Sequence, residues 1–172
     1  MFELYNQAVW PLHIFVVFFS FLIVYALWKK TAWSGRLVAS LLVIGWLWVA
    51  FAFLYQRFYQ IHIVANWYAC GFIVQALLIF WYGVFKDQFI SKVESRVSEI
   101  TGLGLLFLSL IFYPVLAFIS GRGWLQSEMF LLTPDPTALA TIAILVLYKL
   151  PKILYVIPAF WLLISITTLM VM

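Results

Sequence analysis

Ionisable and amide side chains are scarce in this chain of 172 residues, so each is a candidate for chemistry. His13 and Gln75 stand within long apolar stretches, and Asn66 stands at the edge of one. An ionisable group inside a bilayer is costly and is by default a functional candidate. His13 and His62 fall at similar depth, and two histidines can ligate haem, but the geometry that requires is narrow. A hydrogen bond from His13 to a neighbouring helix is the expected role, and Gln75 is expected to hold helices together. A second group lies near the ends of the apolar stretches: Glu3, Asn6, Arg57, Arg122, Glu128 and Asp135. Two arginines against three carboxylates fit either a latch that fixes helix ends or a polar vestibule that admits an ion or small solute. Arg57 lies two residues past an apolar stretch and can reach the interface by snorkelling.

Signatures of catalysis are missing. No Ser or Cys has a neighbouring base, no carboxylates pair inside a span, and there is no HExxH helix or phosphate-binding glycine loop. Gly102 and Gly104 open a span without the rest of such a loop. Cys70, the one cysteine, excludes a disulfide framework and a thiolate metal site, and among apolar neighbours it reads as a small hydrophobe. No enzyme activity, cofactor or metal is expected.

These residues must be positioned by membrane helices. AVILMFWYC make up 67% of the chain and charged residues 9%, whereas a soluble domain has roughly half apolar and about a quarter charged. The net charge of +4 is dispersed over short connectors and forms no basic face, so nucleic acid is not a partner. A bilayer core of about 30 Å asks for roughly 20 apolar residues per helix. The expected fold is an all-α membrane protein of one domain with six spans, at about 8–28, 37–55, 64–85, 101–120, 136–150 and 153–172. The fifth is short, rising about 22 Å at 1.5 Å per residue, so it crosses a thinned bilayer or starts deeper, with Met129–Leu132 dipping in ahead of it. At its start Asp135 is expected to cap the exposed amides, and Pro136 suits the first helical position.

Charge placement sets the orientation. With six spans, Lys29, Lys30, Arg36, Lys86, Lys92, Arg96, Lys149 and Lys152 share one side, and Arg57 and Arg122 share the other. Cytoplasmic loops are enriched in Lys and Arg, so both termini are expected outside. If the fifth segment did not cross, the ratio would fall to six against four. Glu3, without a basic residue beside it, and the absence of a small-x-small site argue against a cleaved leader. Lys86–Ile100 has the spacing of a short amphipathic cytoplasmic helix between the third and fourth spans. Phe89, Ile90, Val93, Val97 and Ile100 take one face; Asp87, Lys92, Glu94, Arg96 and Glu99 take the other. It either lies on the membrane surface or docks a partner. Trp and Tyr cluster at the expected interfaces, Trp46 and Trp48 lie deeper as packing elements, and Pro114 and Pro158 are expected to kink their helices.

Three stretches carry a resemblance: Phe2-Glu3-Leu4-Tyr5-Asn6-Gln7-Ala8-Val9-Trp10-Pro11; Trp48-Val49-Ala50-Phe51-Ala52-Phe53 running into Gln56-Arg57; and Pro134-Asp135-Pro136-Thr137-Ala138-Leu139. Together, and in this order, the chain resembles a family of bacterial integral membrane proteins, domain of unknown function 6064, over nearly its whole length. The resemblance implies a bacterial inner membrane and no established activity. It draws attention to Glu3, Asn6, Arg57, Glu128 and Asp135.

Two functional expectations follow. One is a channel or passive transporter for an ion or small solute, with an outer polar vestibule around Arg57, Arg122 and Asp135. The other is a non-catalytic accessory subunit held in a larger membrane complex through its apolar faces and the Lys86–Ile100 helix. The expected partners are the lipid bilayer and either further copies of the chain or other membrane subunits.

Overall fold

A computed structural model describes residues 2–60, 64–89, 95–121 and 123–171. Among these, seven helices form: α1 (Phe2–Ala8), α2 (Leu12–Lys29), α3 (Ser34–Tyr55), α4 (Ala65–Phe85), α5 (Arg96–Ile119), α6 (Pro134–Tyr148) and α7 (Ile153–Val171). Four of them, α2 to α5, are long and apolar enough to cross a membrane; α6 and the Ile153–Thr168 part of α7 are shorter apolar helices. This is the pattern of a multi-pass membrane protein.

The first long helix starts later than expected. Val9-Trp10-Pro11 forms a turn that sets α1 apart, because Pro11 cannot donate to a preceding turn but suits the start of a new helix. At the other end of α2, Lys30 adopts a left-handed conformation (φ 48°) and its N–H bonds the Ala26 carbonyl, closing the helix. The chain re-enters at Ser34, whose hydroxyl accepts the Thr31 N–H at 3.0 Å and lies 2.7 Å from the Thr31 hydroxyl.

The amphipathic helix expected over Lys86–Ile100 is not formed as such. Lys86–Phe89 is not helical, Asp87 has φ 50°, and Arg96–Ile100 belongs to the first turns of α5; residues 90–94 lie outside the described residues. Tertiary contacts override the local periodicity here. Asp87 pairs with Arg36 at 3.0 Å. Phe89 is turned inward, only 2% exposed, with its ring 5.4 Å from that of Tyr148. Gly35 and Gly83 make room for it, since a Cβ at Gly35 would collide with the Phe89 carbonyl and one at Gly83 would meet the Phe89 ring. Phe89 is therefore part of the core and not of a docking face, whereas Val97 remains exposed.

Three helices contain widened turns, over Val49–Tyr55, Phe80–Phe85 and Leu108–Phe112. In the first two, hydrogen bonds reach back five residues at the end, as from Lys86 N to the Trp81 carbonyl (2.9 Å) and from Gln56 N to the Phe51 carbonyl (3.1 Å). The third runs directly into Pro114. A proline lacks the N–H for the carbonyl four residues back, and its ring clashes there, so widening the turn accommodates it.

At the centre lies α6, packed against α5, α7 and α3. Twelve of its fifteen residues are buried. Ala138, Ala140 and Ala143 let neighbouring backbones come close, the use that membrane bundles make of small residues. Gly102 on α5 answers them, because a Cβ there would press on Leu147 and the Ala143 carbonyl. Ahead of α6, Phe130, Leu131 and Leu132 form a buried turn, closed by Leu132 N and Thr133 N on the Met129 carbonyl. Around α6 the core continues through Trp46, Phe72 and Trp161, with Phe72 4.4 Å from Trp46 and 5.1 Å from Trp161, ring centre to ring centre.

Candidate functional site

The first turns of α6 gather polar side chains from several elements. Asp135 was expected to cap the helix; instead its carboxylate faces α7, where one oxygen accepts the Trp161 indole N–H at 2.7 Å and the other accepts the Ser165 hydroxyl. Helix α6 begins at Pro134, after extended Thr133, with no side-chain cap. Proline at the first position removes one of the amides a cap would serve, which leaves the carboxylate available to α7. A hydroxyl ladder runs up the same helix at four-residue spacing. Thr137 donates to the Thr133 carbonyl (2.6 Å) and accepts the Leu131 N–H (2.9 Å). Thr141 donates to the Thr137 carbonyl (2.7 Å) and accepts the Trp46 indole N–H (2.9 Å). Leu131 has φ 64°, a conformation that destabilises a side-chain-bearing residue by roughly 1–2 kcal/mol; its bond to Thr137 holds it there. Ser109 of α5 donates to the Pro136 carbonyl at 2.6 Å.

Helix α1 is tied to the same end. The Tyr5 hydroxyl donates to the Leu132 carbonyl (2.8 Å) and accepts the Trp48 indole N–H (2.9 Å). Burial pushes the Tyr5 phenol up to about 12, against smaller opposing effects from the Trp48 hydrogen bond and the Arg57 charge. Asn6 donates to the Leu125 and Ser127 carbonyls, both at 2.9 Å, and its carbonyl oxygen lies 3.4 Å from His13 Nε2. The His13 ring of α2 thus faces α1 across the turn at Pro11. His62 lies outside the described residues.

Gln75 is fully buried and donates to the Leu154 carbonyl of α7 at 2.9 Å. The position explains the partner. In a regular helix Leu154 would receive the N–H of residue 158, and residue 158 is Pro158. The amide of α4 supplies the donor that the proline withholds, which is how membrane helices tolerate proline. Both halves of this pair were readable, Gln75 as an intramembrane amide and Pro158 as an intramembrane proline. Nothing in the order of residues said that they meet. Tyr5 and Trp161 do not stand out in the sequence as polar partners, because a lone Tyr or Trp in an apolar stretch carries no signal of what its hydroxyl or indole N–H will meet.

Among the described residues, Glu3, Arg57, Glu128 and Asp135 of the expected vestibule line neither of two cavities, one at this end of the bundle and one between α2 and α5. Glu3 is exposed and Arg57 half-buried, and among the described residues neither makes an ion pair. Arg57 lies within electrostatic range of Tyr5. Glu128 is half-buried, and Glu128 and Asp135 both lie within electrostatic range of Tyr113. Arg122 lies outside the described residues. A cavity of about 490 Å³ opens at this end, with Asn6, Gln7, Trp10, His13, Trp124 and Ser127 among its walls. Among the described residues no three His, Cys, Asp or Glu side chains come together as a metal site would require.

A larger cavity, about 860 Å³, lies between α2 and α5. Val17, Phe21 and Val24 form one wall and Leu103, Phe107 and Ile111 the other, with Met129 and Phe130 among the residues that line it. Its volume falls in the range of ligand-binding pockets, about 300–1,000 Å³. Helix α2 packs chiefly on α3, and many of its large apolar side chains are exposed. Among the described residues, Ser20 lines the groove with its hydroxyl bonded to the Val16 carbonyl of its own helix, and charged side chains enter at one extremity, as Lys30 and Glu99.

No curated protein and no solved structure matches this chain. The model of a family of unknown function, DUF6064, matches it over residues 1–172, and the chain belongs to that family.

Proposed function

We propose that the protein is a bacterial inner-membrane protein with six crossings and both termini outside, and that it acts as a passive carrier that takes up an amphipathic solute sideways from the bilayer. The observation that carries this reading is the groove between α2 and α5, with its apolar walls and its charged extremity at Lys30 and Glu99. The expected polar vestibule is less well supported. Asp135 and Tyr5 already use their polar atoms to join α6, α7, α1 and α3. Their work is to close one end of the bundle. The sidedness rests on the basic connectors, which put Lys30 and Glu99 at the cytoplasmic end of the groove. No step of this function calls for a catalytic residue.

The reading is tested with purified protein in liposomes. Transfer of an acyl-labelled fluorescent phospholipid across the bilayer should exceed that of protein-free liposomes, and Leu103→Trp with Val24→Trp should return it to that baseline. Both side chains are exposed groove residues, so the substitutions fill space without entering the core. Equal transfer with and without protein would overturn the carrier. A second reading, an accessory subunit, draws on the same exposed flank of α2, which a helix of another protein would cover. Stable co-purification of such a protein would favour it.

A further inference from the structure

We propose that the groove's occupant is a phospholipid of the cytoplasmic leaflet whose headgroup carries both a phosphate and a cationic ammonium. The inference rests on reading the groove as a ligand site and adds the ligand's chemistry.

Two charges of opposite sign, Lys30 from the end of α2 and Glu99 from the start of α5, line one extremity of an otherwise apolar cavity. Among the described residues they form no ion pair with each other. A fatty acid or a singly anionic phospholipid would satisfy Lys30 and meet repulsion from Glu99. A headgroup with both signs satisfies each, the phosphate at Lys30 and the ammonium at Glu99. The adjacent lysine is otherwise engaged, with Lys29 Nζ 5.2 Å from the centre of the Trp28 ring. The Lys30 backbone is fixed by the bond that closes α2, which sets the Lys30 side chain out from the mouth of the groove that it lines. The length also suits a chain of a membrane lipid. From Glu99 to Pro114, α5 rises about 22 Å at 1.5 Å per residue, more than half of a hydrocarbon core of about 30 Å.

The test uses the whole protein, delipidated in mild detergent and offered phosphatidylethanolamine, phosphatidylglycerol or phosphatidylcholine with identical acyl chains, with retained lipid read by native mass spectrometry. One phosphatidylethanolamine per chain is expected, preferred over phosphatidylglycerol by about fivefold, the scale of one interfacial charge. Glu99→Gln should abolish that preference while lipid is still retained. Lys30→Gln should weaken both phospholipids. Equal retention of all three lipids, or an unchanged preference in Glu99→Gln, would overturn the headgroup assignment. Leu103→Trp separates the underlying reading: lipid retained undiminished in that variant places the site elsewhere and sinks the groove itself. A second protein chain in the groove, seen as a co-purifying mass that excludes lipid, would overturn the proposal as well. Lys30 and Glu99 are exposed, and an unchanged melting temperature checks that their variants fold.

Discussion

Helices α6 and α2 are both apolar, and they end in opposite places. α6 is enclosed almost all round, while α2 leaves Phe15, Phe18, Phe21 and Val24 exposed. Hydrophobicity does not separate them, because lipid and protein interior are alike to an apolar side chain. Side-chain size and hydroxyls do. α6 is built from Ala138, Ala140, Ala143, Thr137 and Thr141, which permit close approach and answer one another's polar groups; α2 is built from large Phe and Val side chains that need room. The buried helix becomes the axis of the fold, and the exposed one leaves a groove beside it.

The widest gap between these helices should appear on adding bulk. Ala140→Leu inserts three carbons where nothing is accessible and should destabilise near the top of the range for overpacking, about 1–3 kcal/mol. Val24→Leu on α2 should leave thermal unfolding in detergent unchanged. Similar losses in both would erase the distinction.

Removing the Asp135 carboxylate comes next. Asp135→Ala strands the Trp161 indole N–H inside the bundle, and an orphaned buried donor costs about 1–3 kcal/mol. Glu99→Gln, at an exposed position by the groove, should have no such effect on unfolding.

The Gln75 pair sharpens the comparison from within the core. Gln75→Leu leaves the Leu154 carbonyl without a donor and should destabilise by about 1 kcal/mol. In a Pro158→Ala background, residue 158 again donates to Leu154, so the same substitution should matter less. A double-mutant cycle with no coupling between the two positions would show that Gln75 does not compensate the proline.

The smallest effect concerns Tyr5. Tyr5→Phe removes one hydroxyl between Trp48 and Leu132 and should lower stability by about 1 kcal/mol. Its phenol is pushed from the ordinary 10 up to about 12, so folding favours the protonated form. That contribution is complete below pH 10 and is lost as pH rises through 12. Wild type should therefore lose its advantage over Tyr5→Phe and fall below it as pH rises through that interval, measured by unfolding at matched ionic strength.

Much of this architecture was legible in the sequence. Apolar length gave the long helices, and the basic connectors marked one set of ends. The structure moves boundaries where a local signal was read too simply. Pro11 separates α1 from α2, and Arg96 begins α5 instead of lying on an amphipathic surface helix. Phe89 fitted an apolar stripe by spacing, but Gly35 and Gly83, distant in sequence, make a niche that draws it inward. Asp135 fitted a cap by position, yet its partners Trp161 and Ser165 lie 26 and 30 residues away. Periodicity and capping are local signals; these pairings are tertiary. The groove was not legible at all, because in a membrane protein apolar residues that face a cavity and those that face lipid are the same residues.

The most direct test of the central claim, that the α2–α5 groove and not the polar end of the bundle holds a ligand, is native mass spectrometry of the protein taken in mild detergent from its own membranes. Wild type should carry the mass of one lipid-like molecule, kept in a variant altered at the polar end, Tyr5→Phe, and lost in Leu103→Trp. A bare chain in wild type, or a bound mass that Leu103→Trp leaves untouched, would contradict it.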